Sequence, residues 1–599
     1  MFRNGVNMKL AKLYSNDNRF KTVRFNPQFN IVLGELTNVS NLNYDSHNLG
    51  KSTLIYLIDF MLLKELKNGD FLKKDEFSNH VFFLEIKVNS GKYVTIKRAI
   101  KNNTKISIKI HEDEMFDGIN CNDWDYENLS LGSSDENVNP RKILNRLLNF
   151  TVLPKEEYRR TSGYFLRTQD DYKDVFKLQK YKGKDIYWKP ILFELLGFYS
   201  EHMINKYNIE SEIEAKEQLI QKVKNEFNVD AGEKDRIQGL IDIEIEKKKE
   251  IEEWLDRFDF YNKEAGLNKE AIEEVEFEIS KLNTERYNLE FEIQQIEESL
   301  KVKVDYRVED VLELYEEVGI YFPQQLVKEY HELIDFNKKV SAERMKYLDK
   351  SKHEKIEKME KINADLIIKN DKRQELLSVL RGTNTFYKYN VYRNDLVNIE
   401  RKIERYLSEL DGIDHVKRIQ DDIKLLKDKL RHETDLLVKQ VDESAAIYKC
   451  IRKDFHDFVN EILDNNAMIS LNINGNENVD FLASFYNVEN EETAQGMGHT
   501  YKKLLCACFD LAVIKNYMKK SFYRFIYHDG CLESLDPRKQ KKYLNLVRRI
   551  SKEYDMQYIM TCLSSDIPDG DAYQIVDSEI AVTLSDADDD SGRLFGFAF

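Results

Sequence analysis

Between Pro190 and Pro537 the chain carries a single proline, Pro323. Proline inside a helix removes a hydrogen bond and clashes with the preceding turn, so a span nearly free of it can be long helix. The apolar pattern agrees. Ile272, Val275, Ile279, Leu282, Arg286, Leu289, Ile293, Ile296 and Leu300 recur at spacings of three and four, with Arg286 the one polar member. Leu396, Ile399, Ile403, Tyr406, Leu410 and Ile413 form a returning limb. Seams of this kind, with Glu, Lys and Asp between them, belong to helices that pack along their length. Two limbs and one break predict an antiparallel hairpin with its tip near 323. Gly266 and Gly382 stand at nearly equal distances from Pro323, as do Gly232 and Gly412. Both helices of a coiled coil must bend together, so these pairs predict elbows, the main one near 266 and 382. Fully extended, about 120 residues at roughly 1.5 Å each would reach roughly 180 Å. A globular domain of shorter helices is the alternative, since residues 386–392 are rich in aromatics.

The segments flanking this span are different. An apolar run from Phe29 to Leu33 is followed by a polar stretch and then by Gly50-Lys51-Ser52-Thr53 at the head of an apolar helix. A strand, a loop and a helix opening on Gly-Lys-Ser-Thr is the back half of a P-loop. Free N–H groups at the helix start bind phosphate, the lysine reaches the outer phosphates, and the serine hydroxyl holds Mg²⁺. The front half is irregular, because Asp45 stands where the first glycine is usual and the nearest upstream glycine is Gly34. Far downstream, Phe525-Ile526-Tyr527-His528-Asp529 reads as a hydrophobic strand ending in aspartate, the Walker B pattern, with Asp529 placed to hold the water shell of Mg²⁺. Leu535-Asp536 follows at the spacing of a D-loop, and a further strand runs from Gln557 to Thr561. A glycine turn, Gly496-Met497-Gly498-His499, opens the apolar helix from Tyr501 to Tyr517. Read alone, it is a turn before a buried helix.

Composition narrows the classes. The net charge of −16 excludes a generally basic surface that coats nucleic acid, although not a local basic patch. No run of 18 apolar residues occurs and the first residues lack a signal-peptide pattern, so no membrane partner is expected. The six cysteines contain no C-x-x-C pair, which points to a reducing, cytoplasmic setting. No Ser/His/Asp or metal-ligand cluster marks the chain as a nuclease, and the carboxylates Asp586, Asp588, Asp589 and Asp590 read as an acidic turn.

In the order of its parts the chain resembles the SMC/RecN branch of ABC ATPases. It is similar in detail to a bacterial family of uncharacterised SMC-like proteins. The likeness is carried by Asp45-Ser46-His47-Asn48-x-Gly50-Lys51-Ser52-Thr53, by Gly496-x-Gly498-x-x-Tyr501-Lys502-Lys503-Leu504-Leu505, by Phe509-Asp510-Leu511-Ala512 and by His528-Asp529-Gly530. The resemblance implies an α/β fold: an ABC-type ATPase head assembled from residues 1–198 and 451–599, with an antiparallel coiled-coil arm, 199–450, inserted between them. It implies ATP and Mg²⁺ as ligands. Asn48, Gly50, Lys51, Ser52, Thr53, Gln169, Gly496, Gly498, His499, Asp529 and Asp536 would contact the nucleotide, and Ser52, Gln169 and Asp529 the metal. Gln169 is the glutamine of a candidate Q-loop, Phe165-Leu166-Arg167-Thr168-Gln169.

The implied partners are a second copy of the chain through ATP-sandwiched heads, double-stranded DNA, and the middle protein and nuclease or other effector of an ABC three-component or Lamassu-like antiphage system. For DNA, Lys177, Lys180, Lys182, Lys184 and Lys189 alternate with Tyr181, Tyr187 and Trp188 at the arm's root. Lysines neutralise phosphates and aromatics can pack on bases, while a solvated face with its aromatics in the core is the plain alternative. Lys502 and Lys503 face DNA or nucleotide on the same reading. Three departures stand out. Gly530 occupies the place of the glutamate that polarises the attacking water, Cys562 that of the switch histidine, and the P-loop is lengthened. Glu533 is the nearest replacement acid, or else an ordinary loop glutamate. Together these imply slow ATP hydrolysis, suited to a sensor. A RecN-like repair ATPase and a coiled-coil scaffold with a vestigial site are the alternatives.

Overall fold

The computed structural model describes residues 7–35, 49–88, 91–181, 183–227, 231–256, 269–301, 324–377, 384–486, 492–493, 498–567, 575–586 and 590–598. The chain is a mixture of helix and strand that divides into two compact units. One joins Met1–Asn205, Glu309–His331 and Glu433–Phe599. The other is helical and comprises Lys206–Val308 and Glu332–His432.

At the centre of the first unit is a five-stranded sheet in the order Ile580–Ser585, Phe29–Glu35, Gln557–Leu563, Phe525–His528, Leu166–Arg167. Every neighbouring pair is parallel. The Phe29–Glu35 strand therefore lies between two strands drawn from beyond residue 550. Parallel strands covered on both faces read as continuous apolar runs, and Phe29 to Leu33 are all buried, the polar Asn30 included. Ligands of such sheets bind beyond the carboxyl ends of the strands. From that edge leave the segment leading to Gly50, the Asp529 turn and the Gln169 turn.

A mixed sheet accompanies it, in the order Phe522–Tyr523, Asn7–Ser15, Val81–Lys87, Tyr93–Ala99, Lys105–His111, Tyr126–Ser130, with Val23–Arg24 also on Asn7–Ser15. Its pairs are antiparallel except Phe522–Tyr523 with Asn7–Ser15, which is parallel. A third, three-stranded sheet is formed by Glu492–Thr493, Val479–Tyr486 and Asn466–Ile473. The helix His499–Asn516 is buried on every side from Leu504 to Ile514, which explains the small residues Cys506, Ala507, Cys508 and Ala512 within it. The boundary expected at 450 falls inside the helix Ala446–Leu463, which packs in this unit through Tyr448, Ile451 and Phe455.

The second unit is built from the helices Glu201–Phe227, Lys234–Asp256, Lys269–Lys301, Gln324–Leu377 and Asn384–Glu443. Ile213, Ile220 and Val223 pack on Leu426, Ile423, Ile419 and Val416. Further along, Ile237 and Ile241 pack on Ile413, and Val275 and Ile279 on Leu366. Ion pairs follow the same antiparallel register: Lys216 with Asp422 at 2.9 Å, Lys248 with Glu400 at 2.8 Å, Lys352 with Glu297 at 2.9 Å. Exposed pairs contribute about 0–1 kcal/mol each, so the apolar seam carries the packing.

The seam beginning at Ile272 meets residues near 366, and the one ending at Ile413 meets Ile237 and Ile241, pairs that stand at nearly equal distances on either side of residue 323. The Lys269–Lys301 helix also touches the Asn384–Glu443 helix, through Arg393 Nη2 to the Glu276 carbonyl at 2.7 Å and Tyr287 Oη to the Arg401 carbonyl at 3.3 Å. Those two contacts run in the parallel sense, so a two-stranded hairpin is not the whole description. Gly412 is no break. The Asn384–Glu443 helix runs through it, and its missing side chain makes room for Phe227, whose Cγ lies 2.7 Å from where a Cβ would stand. The expected tip near 323 and the elbow glycines Gly266 and Gly382 lie outside the described residues.

Candidate functional site

The helix Lys51–Met61 starts at the carboxyl edge of the parallel sheet. Gly50 caps it with φ 96°, a left-handed conformation that glycine adopts without strain. Leu594 is packed behind it, 2.7 Å from the place a Gly50 Cβ would take. No acidic side chain occupies the first turn, so its N–H groups keep their preference for an anion. The stem of Lys51 crosses Gly34, where a Cβ would stand 3.0 Å from Lys51 Cδ. Burial lowers the Lys51 ammonium, while Glu533, Asp566 and Asp529 act in the opposite sense. Residues 36–48, Asn48 among them, are outside the described residues.

Asp529 follows the Phe525–His528 strand and is 1% exposed. Thr561, on the neighbouring strand, donates its hydroxyl to Asp529 Oδ1 at 2.5 Å and accepts the Gly530 N–H at 2.8 Å. Asp529 Oδ2 is buried and has no hydrogen-bond partner among the described residues. Burial raises the Asp529 carboxyl above its ordinary range. The Thr561 and Ser52 hydroxyls and Lys51 oppose the rise, and Glu533 adds to it. A buried acceptor without a donor costs about 1–3 kcal/mol. A hard cation relieves that cost, and Mg²⁺ takes this donor set: a carboxylate, a serine hydroxyl and an amide oxygen. Asp529, Ser52 and Gln169 therefore fit the metal.

The Gly530 position explains itself. Its φ is 65°, and a Cβ there would lie 2.7 Å from Gln169 Nε2 and 2.9 Å from Glu533 Oε1. Gln169 and Glu533 converge over this glycine: Gln169 Nε2 donates to Glu533 Oε1 at 3.3 Å. Lys503 Nζ donates to Glu533 Oε2 at 3.1 Å and to the Gly530 carbonyl at 3.0 Å. The fold thus brings Lys51, Ser52, Gln169, Asp529 and Glu533 to one place, from both ends of the chain.

Residues 458–599 match a family described as an uncharacterised protein conserved in bacteria. No curated protein matches the chain. Among solved structures it is similar to the Smc head domain with a coiled coil and joint from Pyrococcus yayanosii, at 12% identity over 93% of this chain and 92% of that one, with a TM-score of 0.32. It is also similar to the Smc head domain with an extended coiled coil, bound to the C-terminal domain of ScpA, from Pyrococcus furiosus. There the identity is 11% over 94% of this chain and 91% of that one, with a TM-score of 0.31. Superpositions this loose decide nothing about the site.

Two participants were not legible as such. Thr561 is an ordinary strand residue by pattern. Lys503, expected to face DNA or nucleotide, is 5% exposed and turned inward onto Glu533, a partner its neighbours in sequence do not announce. Cys562 is a buried thiol, pushed up by burial, and offers neither a proton nor an anion near neutrality. Thr53 lies in the first turn of the Lys51 helix, partly covered. Gly498 caps the His499–Asn516 helix, and Asp536 caps Pro537–Glu553 by accepting the Arg538 N–H at 2.9 Å. No hydrogen bond or ion pair among the described residues joins Gly498 or Asp536 to Lys51 or Asp529. Gly496 is outside the described residues.

The lysine cluster is reduced by the structure. Lys189 is 5% exposed, with its ammonium 2.8 Å from Asp185 and 3.0 Å from Asp480, so its charge is neutralised inside the fold. Lys180 lines a cavity of about 260 Å³ with Asp59, Lys64 and Asp171. Tyr181 and Trp188 are buried, while Lys184 is exposed and Lys177 partly so. Lys182 is outside the described residues. Among those residues no helix is long and apolar enough to cross a membrane.

Proposed function

We propose that the chain is an SMC-like ATP-binding subunit whose Mg²⁺–ATP site is assembled from its two remote ends. The observation that carries this is the buried, unpartnered Asp529 Oδ2 beside Ser52, at the start of a helix whose first turn has no acid. Lys51 binds the outer phosphates. Mg²⁺, when bound, offsets the charge of the phosphate oxygens. Glu533 takes the role of the missing Walker B glutamate and accepts the proton of the attacking water, held by Gln169 and Lys503. It approaches from three residues beyond the usual place, Gly530, and shares its position with a lysine, which favours slow turnover. The vestigial-scaffold reading has Gly530 in its favour. Against it stands the cost of leaving Asp529 Oδ2 buried without a donor in a site without use.

In this reading Gly496, Gly498, His499 and Asp536 serve the site of a second copy, so that two heads close on two nucleotides. Among the described residues of the cluster, the exposed Lys184 and the partly exposed Lys177 are the lysines offered to double-stranded DNA. By its resemblance the protein would report DNA binding to a middle protein and an effector in antiphage defence, and a RecN-like repair role differs only in lacking the effector. Light scattering on the wild type and Glu533→Gln, with and without ATP, tests the core of this. The expected result is an ATP-dependent doubling of mass, more persistent in the variant. No change of mass in either protein would remove the sandwich.

A further inference from the structure

Two sequence blocks contain residues to which the nucleotide reading gives no role. These are Asp510, in Phe509-Asp510-Leu511-Ala512, and His528, before Asp529. The fold brings both together around Arg167, and all three side chains are fully buried. The Arg167 guanidinium forks onto Asp510, Nε to Oδ2 at 2.7 Å and Nη2 to Oδ1 at 2.8 Å. Its remaining N–H groups donate to the carbonyls of Asp171 at 2.9 Å, Asp174 at 3.3 Å and Val175 at 3.1 Å. Those carbonyls belong to the Gln169–Lys173 turn and the residues just after it. The guanidinium therefore fastens the Gln169-bearing turn to the middle of the His499–Asn516 helix.

On its other side Asp510 Oδ2 is 3.1 Å from His528 Nε2. A carboxylate only accepts, so that nitrogen carries the proton. Burial keeps the ring neutral, so Nδ1 accepts the Tyr558 hydroxyl at 2.6 Å, and Tyr558 is bonded in turn to Tyr543. The strands bearing Arg167 and His528 are neighbours, and the Asp529 N–H donates to the Arg167 carbonyl at 3.1 Å. One carboxylate thus holds the two strand ends that lead into Gln169 and Asp529.

We propose that Asp510 is a positioning residue that fixes the spacing of Gln169 and Asp529 around the cation of the nucleotide site. The cation-binding edge and the helix that follows Gly498 are then one rigid piece. A buried ion pair adds little net stability over apolar packing of the same volume, whereas its fixed fork sets geometry. The inference rests on the nucleotide reading. Its test is ATP affinity of the full chain, measured in EDTA and across a Mg²⁺ titration, for the wild type and Asp510→Asn. The variant keeps the side-chain size but loses the charged fork. The expected result is a Mg²⁺ midpoint raised about tenfold or more, the usual effect of groups that orient metal ligands, with affinity in EDTA unchanged.

An unchanged midpoint in a folded Asp510→Asn protein overturns the proposal. So does an equal loss of affinity in EDTA and in Mg²⁺, which marks a merely structural role. If Asp510→Asn does not fold by circular dichroism, Tyr558→Phe decides. It removes the hydroxyl that bonds His528 and Tyr543 and leaves the Arg167–Asp510 fork in place; a raised midpoint with affinity in EDTA unchanged supports the proposal, while no shift overturns it. A wild type that binds no ATP, or binds it without regard to Mg²⁺, defeats the nucleotide reading itself.

Discussion

Restoring a glutamate at residue 530 is the obvious way to accelerate an ATPase that lacks it, and the structure predicts the opposite outcome. Gly530 has φ 65°, where a residue with a Cβ costs about 1–2 kcal/mol. The new Cβ would stand 2.7 Å from Gln169 Nε2 and 2.9 Å from Glu533 Oε1, so these side-chain ends must shift apart. The hydrogen bond between them, to a charged acceptor, is worth about 1.5–3 kcal/mol. Gly530→Glu therefore removes at most roughly 1.5–3 kcal/mol from the arrangement that holds the candidate base, the backbone strain falling on folding instead. If half of this is felt in the transition state, turnover falls about four- to tenfold. Phosphate release at saturating Mg²⁺–ATP measures the effect, and a thermal melt shows whether the protein still folds. A Gly530→Glu protein that melts like the wild type and hydrolyses ATP faster would refute this reasoning and return Glu533 to the status of a loop residue.

Other consequences are separable. Burial raises the Asp529 carboxyl, so the folded state holds that proton more tightly than the unfolded chain. Stability of the metal-free protein is then lost as pH rises from the ordinary carboxylate range through the raised value. Asp529→Asn is expected to stabilise the protein in EDTA at pH 7 by about 1 kcal/mol, a gain that fades towards about pH 4, while abolishing the Mg²⁺ dependence of ATP binding. A lower melting temperature for this variant at pH 7 in EDTA would contradict the assignment. Gly412→Ala improves helix propensity by about 1 kcal/mol but drives a Cβ to 2.7 Å from Phe227, an overpacking worth about 1–3 kcal/mol. Amides near Phe227 and Ile413 should exchange with solvent several-fold faster, and unchanged exchange would mean the ring moves aside freely. Lys189→Met leaves Asp480 and Asp185 without their shared cation and should lower the melting temperature, whereas Lys184→Ala should not. Equal melts for the two would undo the placement of Lys189 in the core.

What the sequence shows of this protein is what depends on near neighbours. An apolar run before Gly50-Lys51-Ser52, and an apolar strand ending at Asp529, are local patterns, and both ends of the site could be named from them. The heptad seams announced long helices for the same reason. Periodicity says that a helix face is covered but not by how many helices, so the contacts that join Glu276 to Arg393 and Tyr287 to Arg401 are not in the spacing. Gly412 looked like a break because glycine is a poor helix residue, yet its function is to admit Phe227, whose distance in sequence hides the contact. Lys189 belonged to a run of lysines and was read with them. Asp480, which neutralises it, lies on a strand 291 residues away. Thr561, Lys503 and Asp510 acquire their roles only when the parallel sheet sets its carboxyl ends side by side.

Lys51 and Asp529 should serve one nucleotide. Titration of ATP into the full chain, with and without Mg²⁺, tests this most directly when the wild type is compared with Lys51→Ala and Asp529→Asn. The expected result is no measurable binding for Lys51→Ala under either condition, and for Asp529→Asn the weak metal-free affinity of the wild type with no gain from Mg²⁺. Lys51→Ala binding ATP as tightly as the wild type, or Asp529→Asn keeping the full Mg²⁺ gain, would contradict it.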